Sequence, residues 1–242
     1  MQPDHGGISR SMLVLWDIDG TLLHTDGIAG EAMRTAMERT FGPTIRQERR
    51  FYSGKTDRQI IQETFPHLTP SAVLEHLQVF IAVYVAEFKR QREAVLARAG
   101  VMPGALALLD HLHARVIQAP LTGNVASIAR LKLDWLGLLD FMHFEVGAYG
   151  DDHHERPLLV PIAAERAARF YGRPFSGHDI VVIGDTPHDI HCGKLNRTRT
   201  VAVATGPYSV DDLQAYEPDA VLPDFRDLSA ALVAIWGETF SL

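Results

Sequence analysis

The chain has 242 residues, 46% of them hydrophobic and 22% charged, an ordinary globular mixture that excludes wholesale disorder and suits one large domain or two modest ones. Acidic side chains outnumber basic ones 30 to 23, and the resulting formal charge of −7 disfavours a dedicated polyanion binder. The single cysteine, Cys192, cannot close an internal disulfide, so a reducing compartment is expected. The amino-terminal segment lacks the long apolar stretch of a signal peptide. The longest apolar run, Val79 to Ala86, falls short of the ~18–20 residues that span a bilayer. The expectation is a cytoplasmic protein without nucleic-acid or membrane partners.

Residues 1–11, with Pro3 and Gly6-Gly7, carry no periodicity and read as a loose lead-in. Leu13 to Trp16 is a continuous apolar run, as in a strand buried on both faces of a parallel sheet, and it stops at Asp17. From Gly30 to about Gly100 the spacing turns helical. Ala32, Met33, Ala36 and Met37 predict one helix, broken at Gly42-Pro43, and Ile60, Ile61, Thr64 and Phe65 a second, ended by Pro66. Val73, Leu77, Phe80, Tyr84 and Phe88 predict a long third, their aromatic stripe being core, and no strand is expected in this stretch. After Pro103-Gly104 opens another helix, strand-like runs return at 116–121, 144–146, 180–183, 200–204 and 220–222. Helical patterns at 126–135, 158–170 and 228–236 separate most of them. The alternation predicts an α/β fold, a doubly wound parallel-sheet (Rossmann-like) core with an inserted α-helical cap domain. The divisions are 1–23 core, 24–100 cap and 101–242 core.

Four polar clusters fall at or just beyond predicted strand ends, where open α/β sheets bind ligands. In Asp17-Ile-Asp19-Gly20-Thr21 two carboxylates leave one strand with a single residue between them. One can attack phosphorus and the other can transfer protons, while a divalent ion offsets phosphoryl charge. In Thr122-Gly123-Asn124 a hydroxyl and backbone N–H groups make a phosphate cradle, unless Asn124 merely caps the next helix. Arg156-Pro157 opens a further helix and offers a cation, or a solvated arginine. In Gly184-Asp185-Thr186-Pro187-His188-Asp189 two more carboxylates suit oxygen ligation of Mg²⁺. Among 12 histidines, His188 and His191 lack the pair spacing of a helical zinc site, and His153-His154 adds no matching ligands, so zinc is not expected. Cys192 follows the last cluster among helix-compatible residues and reads as core packing.

In this order the clusters resemble the haloacid dehalogenase superfamily over nearly the whole chain. Asp17-Ile-Asp-Gly-Thr-Leu22 resembles its first motif, Thr122-Gly-Asn its second and Gly184-Asp-Thr-Pro-His-Asp189 its fourth, while Val101-Met-Pro-Gly104 is similar to its re-entry from cap to core. Ser53-Gly-Lys-Thr-Asp57 is like a cap loop of the phosphoglycolate phosphatase group. The resemblance implies a Mg²⁺-dependent phosphatase acting on a small organic phosphate monoester, phosphoglycolate-like, through an aspartyl-phosphate. Asp17 would be the nucleophile, Asp19 the general acid/base and Thr122 a phosphoryl-oxygen ligand, with Gly123, Asn124 and Lys55 contacting substrate. Side chains of Asp17 and Asp185 and the backbone carbonyl of Asp19 would hold Mg²⁺, with Asp189 behind them. The third motif departs from the family's commoner Lys-Pro, reading Arg156-Pro157 here; arginine keeps the charge but presents a planar fork. Lys132 is the alternative basic group, although its place in the helical pattern points it toward solvent or the sheet edge. Asp19 separates the chain from dehalogenases, which lack that second aspartate. A phosphomutase, a phosphonate hydrolase using Lys55, and a non-catalytic binding module on the same fold remain the other readings. The partner expected is a small phosphorylated metabolite; oligomeric state is not legible.

Overall fold

The computed structural model describes residues 12–44 and 52–237, so the lead-in expected at 1–11 lies outside the described residues. The strands are β1 (Leu13–Trp16), β2 (Leu23–His24), β3 (Gly100–Val101), β4 (Ile117–Pro120), β5 (Ile180–Gly184), β6 (Arg199–Val203) and β7 (Ala220–Leu222). Five of them form one parallel sheet in the order β4-β1-β5-β6-β7. Because β1 lies between β4 and β5, the chain reverses its direction of travel across the sheet at β1, the place where such sheets open a crevice. Register brings the strand ends level. Trp16 pairs with Pro120 on one side and Ile183 on the other, so Asp17, Leu121 and Gly184 emerge side by side.

Alternate residues of β1 face opposite layers, as the two-residue strand period requires. Val14 and Trp16 join a core with Leu108, Leu109 and Phe225, whereas Leu13 and Leu15 join one with Leu159, Ala163 and Cys192. The expected strand at 144–146 does not form. Phe144–Val146 is a single 3-10 turn, with Phe144 stacked on Tyr149, and the chain meets the sheet edge on either side of it, through the His143 N–H on the Gln118 carbonyl at 2.7 Å and a bridge between Leu121 and Ala148. The Val146 and Gly147 N–H groups turn back to the His143 and Phe144 carbonyls, at 3.1 Å each, so they are spent within the turn and not on a ladder.

The helices are α1 (Ile28–Phe41), α2 (Asp57–Thr64), α3 (Pro70–Arg90), α4 (Arg92–Arg98), α5 (Ala105–Leu112), α6 (Ala126–Trp135), α7 (Leu159–Tyr171), α8 (Pro187–Leu195), α9 (Val210–Gln214) and α10 (Leu228–Trp236). Between β2 and β3 the described elements are α1 to α4, the last not foreseen from the sequence. β2 and β3, also unforeseen, pair antiparallel, Leu23 with Val101 and His24 with Gly100, so the strands entering and leaving the helical segment run side by side. α3 spans 21 residues and is long and apolar enough to cross a membrane by length and composition alone, a test that core helices also pass. One face of it is core: Val73, Leu77, Phe80, Tyr84 and Phe88 pack with Ala32, Met33, Ala36 and Met37 of α1. Val125 and Ile128 complete that cluster, and Phe88 stacks on Trp135 with ring centroids 5.0 Å apart. The helical layer is thus seated on α6.

Its second seat is the turn before α2. Thr56 caps α2 by accepting from the Gln59 N–H and donates its own hydroxyl proton to the His154 carbonyl at 2.6 Å. The Asp57 N–H donates to the Gly123 carbonyl at 2.7 Å, and the Asp57 carboxylate accepts from the Val125 N–H at 2.9 Å. Asp57 therefore caps the start of α6 from across the interface, beside Asp151, which accepts from the Ala126 N–H at 2.9 Å. The fit is tight: a Cβ on Gly123 would overlap the Lys55 carbonyl, so only glycine lets the two loops meet.

Two outcomes follow from this packing. Gly104 has φ of +79°, and a Cβ there would overlap the Phe225 backbone. Gly104→Ala is expected to cost about 1–3 kcal/mol, read as a lowered urea midpoint with unchanged slope. Burial pushes the Asp57 carboxyl from its ordinary 3.8 up to about 7, against the Val125 hydrogen bond and the Lys132 charge. A carboxyl pKa raised by folding favours the folded state at low pH, an advantage lost as pH rises from about 4 toward 7. The amide of Asp57→Asn keeps an acceptor for Val125 and does not titrate. Its Tm relative to the parent protein should therefore improve between pH 5 and pH 8; a constant difference would contradict the assignment.

Candidate active site

Asp17 follows β1, its N–H held by the Ile183 carbonyl at 2.9 Å. Gly20, at φ of +92°, then turns the chain back, with its N–H on the Leu23 carbonyl at 2.8 Å. The turn also brings Gly20 against Asp185: a Cβ at Gly20 or at Gly206 would overlap the Asp185 Oδ2. Thr21 Oγ1 lies 3.1 Å from Asp185 Oδ1 and 3.3 Å from Asp17 Oδ2, so its one proton ties the first strand end to the third. Asp189 sits in the first turn of α8. It closes a capping box in which Asp189 Oδ2 accepts from the Thr186 N–H at 3.1 Å and the Thr186 hydroxyl at 2.6 Å.

Asp17, Asp185 and Asp189 are all buried and present carboxylate oxygens within 4.8 Å of one another. Among the described residues, one cation serves this cluster directly. Arg156 is 3% exposed; its Nη2 donates to Asp17 Oδ1 at 2.6 Å and to the Leu121 carbonyl at 3.1 Å. The same nitrogen lies 2.6 Å from Asp189 Oδ1 as an ion pair without hydrogen-bond alignment, leaving that oxygen without a hydrogen bond. Arg156 Nη1 donates to the Gly54 carbonyl at 3.2 Å, joining the helical layer to the cluster. Burial works against the guanidinium charge, but Asp189 and Asp17 more than offset it and hold its pKa above the ordinary value. Burial pushes Asp17 up to about 7, against Arg156 and with help from the Asp189 charge. Burial also raises Asp185, reinforced by Asp17 and Asp189. The cluster is short of positive charge.

The second strand end supplies the rest. Thr122 is fully buried, and its Oγ1 accepts from the Asn124 N–H at 3.2 Å and Nδ2 at 2.9 Å. Asn124 does not cap α6 with its side chain; Val125 is the capping position, and Asn124 Nδ2 reaches Asp19 Oδ2 at 2.7 Å. The expectation for Lys132 is overturned. It faces neither solvent nor the sheet edge but is 2% exposed, with Nζ 2.5 Å from Asp19 Oδ2 and 2.6 Å from Asn124 Oδ1. Long helical side chains lean toward the helix N-terminus, which carries the ammonium back to the residues that precede α6. The signal was present: Ile128, Ala129 and Leu133 form the buried stripe of α6, and Lys132 falls within it.

A cavity of about 450 Å³ opens between the sheet ends and the helical layer, lined by Asp17, Asp19, Thr122, Asn124, Arg156 and Asp185 on one side. Lys55, Arg34 and Tyr52 line the other. Lys55 is ion-paired with Glu63 at 2.5 Å, and Glu63 also accepts from Gln59 Nε2 at 2.9 Å. Cys192 is buried in the core, where burial pushes its thiol up to about 12, so a nucleophilic thiolate is disfavoured. Among the described residues, the Asp17, Asp185, Asp189 group is the cluster whose geometry suits a metal ion. Its donor set is all oxygen, which suits Mg²⁺ in place of softer metals. Asp185 Oδ2 is buried and without a hydrogen-bond partner, as a ligand atom awaiting a cation would be.

The chain is similar to several known proteins. The chain is 28% identical over 225 residues to a phosphoglycolate phosphatase of Rhodospirillum rubrum, spanning 89% of this chain and 88% of that protein. It is 26% identical over 219 residues to the pyrophosphatase PpaX of Listeria innocua, covering 90% and 94%. A hydrolase from Pseudomonas syringae superposes with a TM-score of 0.66 at 20% identity, over 91% of this chain and 97% of the other, a likeness of fold. The haloacid dehalogenase-like hydrolase family matches residues 14–194, more than half of the sequence, and the chain belongs to that family.

Proposed function

We propose that the protein is a Mg²⁺-dependent cytoplasmic phosphatase that hydrolyses a small organic phosphate monoester through an aspartyl-phosphate on Asp17. The observation that carries this reading is the buried cluster of three carboxylates at the adjacent ends of β1 and β5, beside a fourth carboxylate, Asp19, that faces the same cavity. Relatives named as phosphatases of phosphoglycolate and pyrophosphate support the coarser part, a phosphatase. The cavity, about 450 Å³, bounds the substrate to metabolite size. Residues 24–100 would act as the cap that closes over it and excludes water.

In this reading Asp17 attacks phosphorus through its carboxylate oxygen, and Arg156, hydrogen-bonded to Asp17, steadies the charge as the phosphoryl group transfers. The bond from phosphorus to the leaving oxygen breaks, and Asp19 gives that oxygen its proton. Asp19 then takes a proton from water, whose oxygen attacks phosphorus. The bond to Asp17 breaks, releasing inorganic phosphate and restoring both carboxyl groups to their starting states. Thr122, with the backbone at Gly123 and Asn124, would bind phosphoryl oxygens, and Lys55 would meet the leaving group from the cap side. Asp17 and Asp185 side chains and the Asp19 carbonyl would hold the ion, with Asp189 fixing Arg156 behind them. When bound, Mg²⁺ supplies the positive charge that lets a phosphate dianion approach ionised Asp17.

Phosphate release from a panel of phosphorylated metabolites tests the proposal. Turnover is expected with Mg²⁺ and lost after chelation. Asp17→Asn should abolish it, and Arg156→Ala should lower it at least about 10²-fold, with Arg156→Lys recovering part. Full activity of Asp17→Asn, or of exhaustively chelated protein, would refute the mechanism.

A further inference from the structure

Among the described residues, two buried cations border the cavity, and they serve different carboxylates. Arg156 is engaged with Asp17, Asp189 and two backbone carbonyls. Lys132 meets Asp19 and Asn124. A buried ammonium loses its hydration and persists only against opposing charge. Here that charge is Asp19 in contact, with the Asp57 carboxylate facing the same region.

We propose that Lys132, acting partly through Asn124, is a positioning residue that fixes which oxygen of Asp19 performs proton transfer. The proposal rests on the reading of Asp19 as the acid/base. The Asn124 amide sits between an ammonium, a carboxylate and a hydroxyl. With Oδ1 toward Lys132, its Nδ2 points at Asp19 Oδ2 (2.7 Å) and Thr122 Oγ1 (2.9 Å). The flipped amide would set its N–H groups against the ammonium and its carbonyl against the carboxylate, two contacts of like polarity. Lys132 thereby selects the amide orientation and also donates to Asp19 Oδ2 itself, at 2.5 Å.

Asp19 Oδ2 thus receives two donors, one of them charged, while among the described residues Asp19 Oδ1 receives none. Such paired donors anchor the carboxylate. Asp19 Oδ2 is committed to holding the side chain in place, and Oδ1 is the oxygen left to exchange a proton with the leaving group and then with water. The chain Lys132, Asn124, Thr122 also links the acid/base to the hydroxyl at the phosphate cradle, so Asp19 is aligned with the strand end opposite Asp17. No atom of Lys132 has to touch the substrate for this role.

The test separates proton transfer from general structure. Single-turnover hydrolysis is compared for an alkyl phosphate, glycerol 2-phosphate, whose leaving oxygen needs a proton, and 2,4-dinitrophenyl phosphate, whose phenolate leaves without one. Lys132→Met, similar in length but uncharged, is expected to slow the alkyl ester at least about tenfold more than the dinitrophenyl ester, part of the 10²–10⁴-fold range of acid/base catalysis. Equal losses on both esters, or no loss on either, would overturn the proposal. In an Asp19→Asn background Lys132→Met should cost the alkyl ester little further, because its partner is already disabled; a second full loss would overturn it. That double variant removes both charges together, so the comparison holds even where Lys132→Met alone fails to fold. Should Asp19→Asn alone leave the alkyl ester unaffected, the acid/base reading itself fails, and this proposal with it. Loss in Asp19→Asn with none in Lys132→Met overturns the positioning role alone.

Discussion

The site is organised by a deficit of positive charge. Asp17, Asp185 and Asp189 crowd their oxygens within 4.8 Å at the ends of adjacent strands, and among the described residues the cation in direct contact with them is Arg156. Packed carboxylates repel one another, and burial removes the water that would screen them. The protein counters part of this with fixed dipoles: the Thr21 hydroxyl between Asp17 and Asp185, and the capping box that saturates Asp189 Oδ2. The remainder appears as the upward push on Asp17 and Asp185. In the proposed function this deficit is what a divalent cation would offset.

That constraint explains features remote from it. The parallel register must be tight, because one residue of slip would carry Asp17 to the opposite face of the sheet. Glycines at 20 and 206 admit the Asp185 carboxylate where any larger residue would exclude it. Arg156 spends both terminal nitrogens of its fork on acceptors, and the Nη1 bond to the Gly54 carbonyl couples the helical layer to the charge cluster. Asp57 makes the second coupling, from the start of α2 to the start of α6, and so to the element that delivers Lys132. The helical layer, the Thr122 loop and Asp19 therefore share one network of buried polar bonds, in which altering a member leaves desolvated groups without partners.

Much of the fold was legible because its signals are local. Continuous apolar runs marked β1 and β5, helical spacing marked α1, α3 and α6, and carboxylates at strand ends marked the site. The run at 144–146 misled because three apolar-rich residues satisfy a strand and a 3-10 turn equally, and only the neighbouring sheet edge decides. Lys132 was misplaced for a different reason. A lysine is ordinarily a solvated residue, and its burial depends on Asp19, 113 positions away, which no periodicity connects to it. Asp57 is hidden in the sequence, since an acidic residue in a helix's first turn serves its own helix by default; that it caps α6 instead is a tertiary fact.

The charge deficit is tested most directly by thermal unfolding with and without Mg²⁺, on the parent protein and on Asp185→Asn. The account predicts that Mg²⁺ raises the Tm of the parent protein in proportion to the logarithm of its concentration above the Kd. It predicts further that the variant, relieved of one crowded carboxylate, is at least as stable as the parent without metal and gains little from Mg²⁺. A metal-free variant less stable than its parent, or one that responds to Mg²⁺ as fully, would contradict the claim that Asp185 is held in readiness for a cation.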